Sequence, residues 1–71
     1  MTPRKAARII ISEGKPLNPD DEVGSVTNIF ELAEQHSPGS LGELCFVVAT
    51  MYLVVMRKIG YYEGGWYVTT K

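Results

Sequence analysis

Thirteen residues, Leu44 to Met56, form an apolar run broken only by Thr50. A membrane-spanning helix needs roughly 20 such residues, and here Glu43 precedes the run while Arg57 and Lys58 follow it. In a chain of 71 residues the run therefore reads as the buried helix of one small domain, residues 1–71. Ser40-Leu41-Gly42-Glu43 has the form of a capping box, serine and glutamate each satisfying a backbone N–H of the first turn. A helix is expected from Leu41 to Ile59, stopped by Gly60. The β-branched residues at Phe46–Val48 permit a strand, but the length of the run and the box ahead of it favour helix. A helix apolar on all sides must be covered on all sides. Two short helices and a hairpin leave some of it over, so self-association or a tight partner is expected to cover the remainder.

The rest of the chain supplies those shorter elements. Thr2 and Pro3 suit the cap and first position of a helix that carries Ala6, Ala7 and Ile10 on one face and closes at Gly14. The run Ile9–Ile11 makes a strand the competing reading. Pro16 and Pro19 punctuate a connection, and Asn18-Pro19-Asp20-Asp21 has the order of a helix start. Val26, Ile29, Phe30 and Ala33, widened by Leu32, make the inward stripe of a second helix that ends at His36-Ser37-Pro38-Gly39. Near the carboxyl end, Gly64-Gly65 lies between aromatic and β-branched residues, the signature of a tight hairpin. With those glycines in the turn, Glu63 faces Trp66, Tyr62 faces Tyr67 and Tyr61 faces Val68. Tyr61, Glu63, Trp66 and Val68 then share one face, and Tyr62 and Tyr67 the other. Whichever face lies outward exposes aromatic rings.

Charge is segregated within a net of −1. Residues 1–15 sum to +3, residues 16–45 to −6 and residues 46–71 to +2. The middle segment, including Asp20, Asp21 and Glu22, is either a solvated face neutralised by its neighbours or an acidic face for a basic partner. Those three acids lack the alternating ligand spacing of a calcium loop and read as helix-capping charge. Cys45 is the only cysteine and His36 the only histidine, so neither a disulfide nor a usual zinc set can be built from one chain. No metal or cofactor is expected. A lone thiol and an amino end without a secretory pattern suit a cytoplasmic setting. His36 and Cys45 could suggest a base and a nucleophile, but Cys45 lies within the apolar helix, where burial makes a thiol inert. Gly64-Gly65 leads into a strand rather than a helix amino end, so it is no phosphate loop. No enzymatic activity is expected.

Three stretches together resemble the winged-helix family: Ile29-Phe30-Glu31-Leu32-Ala33-Glu34, then Ser40 opening a third helix, then Lys58-Ile59-Gly60-Tyr61-Tyr62-Glu63-Gly64-Gly65-Trp66-Tyr67-Val68-Thr69. The resemblance implies an α+β fold of three helices followed by a C-terminal β-hairpin, and DNA contact through the third helix and the hairpin. The residues at those places depart from that use. The third helix offers only Glu43, Thr50, Arg57 and Lys58 as polar groups, and Glu63 at the hairpin tip would meet phosphates with like charge. Nucleic acid is thus not the expected partner.

The expectation is a protein-binding module, an inhibitor or adaptor of a larger complex that acts by surface contact without catalysis, and a homo-oligomer. Tyr62, Glu63, Trp66 and Tyr67 on the hairpin and Asp20, Asp21 and Glu22 before the second helix are the candidate contact residues, since exposed aromatics dominate interface energetics. The alternative is a winged-helix transcription regulator that binds DNA as a dimer through a basic surface drawn from Arg4, Lys5, Arg8, Arg57 and Lys58.

Overall fold

Thr2 caps the first helix as expected: its Oγ1 accepts from the backbone N–H of Lys5 at 3.2 Å, with Pro3 in the first turn. In the computed structural model, which describes residues 1–16, 27–62 and 64–69, three helices precede a two-stranded antiparallel hairpin. They are α1 (Pro3–Glu13), α2 (Ile29–His36), α3 (Ser40–Val55), β1 (Ile59–Tyr62) and β2 (Gly65–Val68). The architecture is α+β, with the element order that the winged-helix resemblance implies. The strand reading of Ile9–Ile11 gives way to helix, because Ala6 and Ile10 lie one turn apart and both are fully buried. Asn28 caps α2, its side chain accepting from the N–H of Glu31. The helix-start reading at Asn18–Asp21, the acids Asp20, Asp21 and Glu22, the core position Val26 and the tip residue Glu63 lie outside the described residues.

The core gathers Ala6 and Ile10 from α1, Ile29, Leu32 and Ala33 from α2, Phe46, Ala49 and Leu53 from α3, and Ile59 and Val68 from the hairpin. Helix α3 packs against α1, α2 and β1. Phe46 and Ile10 are the largest side chains buried completely. Phe30, expected in the inward stripe of α2, is instead 60% exposed. The stripe is narrower than the apolar pattern because Ile29, Leu32 and Ala33 already fill the space facing α3.

Both ends of α3 differ from the expectation. Gly39, with φ at 105°, stands at the N-cap, and no side chain caps the helix there. The turn from α2 to α3 is so tight that Gly42 lies against Ser37, and the reversal needs a positive φ just before Ser40. Ser40 therefore enters the first turn instead of capping it, and the capping box does not form. At the other end the helix stops at Val55, ahead of Ile59. The N–H of Lys58 donates to the carbonyl of Leu53, and that of Arg57 to Val54. This is a Schellman closure with Arg57, φ 57°, in the left-handed position that glycine usually fills. An arginine there costs about 1–2 kcal/mol of backbone strain. The hairpin offsets it: Thr69 donates its hydroxyl to the carbonyl of Arg57 at 2.8 Å and its backbone N–H to Lys58 at 2.9 Å.

The hairpin register also moves. Tyr62 pairs with Gly65, Tyr61 with Trp66, Gly60 with Tyr67 and Ile59 with Val68, so Gly65 belongs to β2 and the turn is not Gly64-Gly65. Gly64 supplies the positive φ, 86°. Two gains favour this register. Ile59 and Val68 face each other, and both are buried. Each tyrosine of the other face sits opposite a glycine, and the Tyr67 ring lies over Gly60, where a β-carbon would come within 2.6 Å of it. The shift moves partners by two positions, so the division of aromatic side chains between faces is unchanged. Beyond the pair, Thr27 exchanges backbone hydrogen bonds with Trp66 at 2.7 and 3.0 Å, and Val68 donates to Lys15 at 2.9 Å. The outer edge of β2 is thereby covered by the two segments that flank residues 17–26.

Candidate functional site

Helix α3 is apolar on two opposed faces. Gly42, Phe46, Ala49, Thr50 and Leu53 turn inward and are buried. Leu41, Leu44, Val48, Met51, Tyr52 and Val55 turn outward and are exposed, Leu41 and Val55 by 79% and 78%. Thr50 is the one polar side chain on the inner face, and its hydroxyl donates to the carbonyl of Phe46 at 2.7 Å, so it leaves no unpaired group.

The outward ridge separates two clefts. On one flank a groove of about 500 Å³ is lined by Ile29 and Phe30 from α2, Val47, Thr50, Met51, Val54 and Val55 from α3, and Trp66 from β2. Its walls are almost wholly hydrocarbon and aromatic. On the other flank a cleft of about 450 Å³ lies between Pro3, Arg4 and Ala7 of α1 and Val48, Ala49 and Tyr52 of α3. A surface of this composition holds an apolar side chain or helix face through lost water contact.

Of the described candidate contact residues read from the sequence, Tyr62, Trp66 and Tyr67, only Trp66 lines the groove. It is half-buried against the core, and Tyr61 meets its ring edge-on with centroids 5.1 Å apart. Tyr62 and Tyr67 are half-buried on the opposite hairpin face, while Tyr61 is the exposed ring, at 62%. Which face lies outward was open from the sequence; the pair Tyr62 and Tyr67 is partly covered, the Tyr67 ring lying across Gly60. Phe30, Met51, Val54 and Val55 were not among the expected contact residues. The signal for the α3 members was present as a second apolar stripe, masked by the inward one.

The two residues weighed for catalysis, His36 and Cys45, are engaged in structural contacts. His36 pairs with Glu13 of α1 and stacks on Phe46, centroids 6.5 Å apart. Cys45 is half-buried, less covered than its apolar neighbours led one to expect, and its thiol lies 3.5 Å from the carbonyl of Met1. The two residues of the suggested nucleophile–base pair thus have different partners. Arg4, Lys5 and Arg8 share an exposed surface of α1 with Thr2, Ile9 and Ser12. Among the described residues no group of three or more His, Cys, Asp or Glu side chains is placed to hold a metal ion, and no helix is long and apolar enough to cross a membrane. Compared with known proteins, the chain matches no protein family, no curated protein and no solved structure.

Proposed function

We propose that the chain is a non-catalytic protein-binding module, an adaptor or inhibitor of a larger complex, that works as a homodimer. One observation carries the reading: an unbroken outward apolar face on α3, flanked by two clefts, in a domain whose core is already complete without it. Contiguous apolar surface of this kind on a small domain marks an interaction site. Tyr61 and Trp66 beside the groove add the side chains that most often anchor protein interfaces.

The test is light scattering across a wide concentration range, on the native chain and on Met51→Glu. The native chain should be a dimer. Met51→Glu places a charge on an exposed position, so it should be monomeric with its helical circular dichroism unchanged. A native chain that stays monomeric throughout would overturn the reading. The second reading, a DNA-binding regulator, draws on the clustered Arg4, Lys5 and Arg8 of α1. Non-specific binding through a few phosphate contacts has a Kd of roughly 10⁻⁴–10⁻⁶ M at physiological salt. Duplex binding tighter than this, with steep salt dependence, would favour that reading over the adaptor.

A further inference from the structure

We propose that two copies of the chain pair through the outward face of α3 with the two helices antiparallel. The inference rests on the homodimer reading and adds its geometry. Leu41, Leu44, Val48, Met51 and Val55 follow one another at alternating steps of three and four residues, and all five are exposed. That alternation is the a/d spacing of a helix–helix seam. It is distinct from the stripe of Phe46, Ala49 and Leu53 that packs the core. The seam runs about 21 Å along the helix at 1.5 Å per residue. The positions beside it, Cys45, Val47, Tyr52 and Val54, are uncharged, so no like charges keep a second helix away.

The ends of the seam identify its occupant. Glu43 lies at the amino end, and Arg57 and Lys58 follow the carboxyl end, all exposed. A second copy laid antiparallel brings each Glu43 to the basic end of the other helix and opposes the two helix dipoles. A parallel copy would set Glu43 beside its equivalent and the basic residues beside theirs. From Leu44 to Val55 the steps of four, three and four residues read the same in reverse. With the two-fold axis level with Ala49 and Thr50, Leu44 meets Val55 of the partner subunit and Val48 meets Met51 of the partner subunit, while Leu41 lies beyond these pairs at the end of the seam. The central four positions of the ridge are their own complement.

Disulfide trapping in a Cys45→Ser background tests the direction. In the antiparallel dimer the two copies of residue 44 are about 16 Å apart along the axis, at 1.5 Å per residue. A disulfide requires Cα atoms within about 7 Å. Leu44→Cys alone should therefore resist oxidation to a covalent dimer, whereas Leu44→Cys mixed with Val55→Cys should cross-link readily. Cross-linking of Leu44→Cys with itself as fast as in the mixture overturns the antiparallel arrangement but leaves the homodimer standing. A mixture that is dimeric by light scattering yet does not cross-link places the interface elsewhere and also overturns the proposal. A monomer by light scattering overturns both readings. Leu44 and Val55 are exposed and Cys45 is half-buried, and circular dichroism confirms that each variant, the Cys45→Ser background included, is folded.

Discussion

Replacing Gly42 by alanine pits two effects of opposite sign against each other. Gly42 lies in the first turns of α3, where helix propensity alone favours alanine by up to about 1 kcal/mol. Packing opposes it. A β-carbon at this position would fall 1.8 Å from the backbone oxygen of Ser37, 2.6 Å from its Oγ and 2.7 Å from its Cβ. The nearest obstacle is main chain and cannot rotate away, so the corner between α2 and α3 must open by about 1.5 Å to restore ordinary contact. Overpacking that moves backbone costs roughly 1–3 kcal/mol, and a carbonyl this close belongs at the upper end. The net expectation for Gly42→Ala is a loss of about 2 kcal/mol. For a domain of this size each kcal/mol moves Tm by roughly 4–8 °C, so Tm should fall by about 8–16 °C. Thermal melts followed by far-ultraviolet circular dichroism give Tm, and urea titrations followed by the fluorescence of Trp66, the single tryptophan, give the free energy. Protein concentration must be held constant, since the proposed self-association would couple to stability. A rise in Tm would refute the close approach and leave propensity as the governing effect. Gly64→Ala is the internal control: no atom lies within 4 Å of its added β-carbon, so its loss of about 1 kcal/mol should come from the positive φ alone.

Phe46→Ala removes a fully buried ring from the core and should cost about 3–5 kcal/mol, read from the urea midpoint. Arg57→Gly relieves the left-handed arginine at the end of α3 and should raise stability by about 1 kcal/mol, while Arg57→Ala, which keeps a β-carbon, should not. A double-mutant cycle between Tyr61→Ala and Trp66→Ala should give a coupling of about 1 kcal/mol for the edge-on ring pair, and a value near zero would mean the rings do not meet in solution.

Where a local rule and the tertiary packing agreed, the chain was readable from its residues. Thr2-Pro3 starts α1, and the spacing of Ala6 and Ile10 identifies its buried face. The hairpin was readable as a hairpin, but adjacent glycines leave the turn free to slide by one residue. Cross-strand pairs decide its place, Ile59 with Val68 and Tyr67 over Gly60, and a turn motif does not contain them. The end of α3 gave no local warning, because its left-handed residue is an arginine held by Thr69 from the far strand. The candidate site was legible as excess hydrophobicity and not as a place. Two apolar stripes on opposite sides of one helix cancel in any test for amphipathicity, so the outward one emerges only after Gly42, Phe46, Ala49 and Leu53 are known to be buried. Phe30 showed the opposite failure, since its spacing matched the inward stripe that Ile29, Leu32 and Ala33 complete without it.

The clasp of β2 on Lys15 and Thr27 has a consequence for how the molecule is made. During synthesis the helices can form as they leave the ribosome, yet the backbone partners of Lys15 and Thr27 are residues 66 and 68. The strained turn at Arg57 likewise waits for Thr69. Contacts between segments so distant in the chain are the slow ones to close. Until residues 65–69 emerge, the turn at Arg57 lacks its hydrogen bonds from Thr69 and the core lacks the Ile59–Val68 layer. Closure of the hairpin is therefore the step expected to complete the core last, after the three helices have formed.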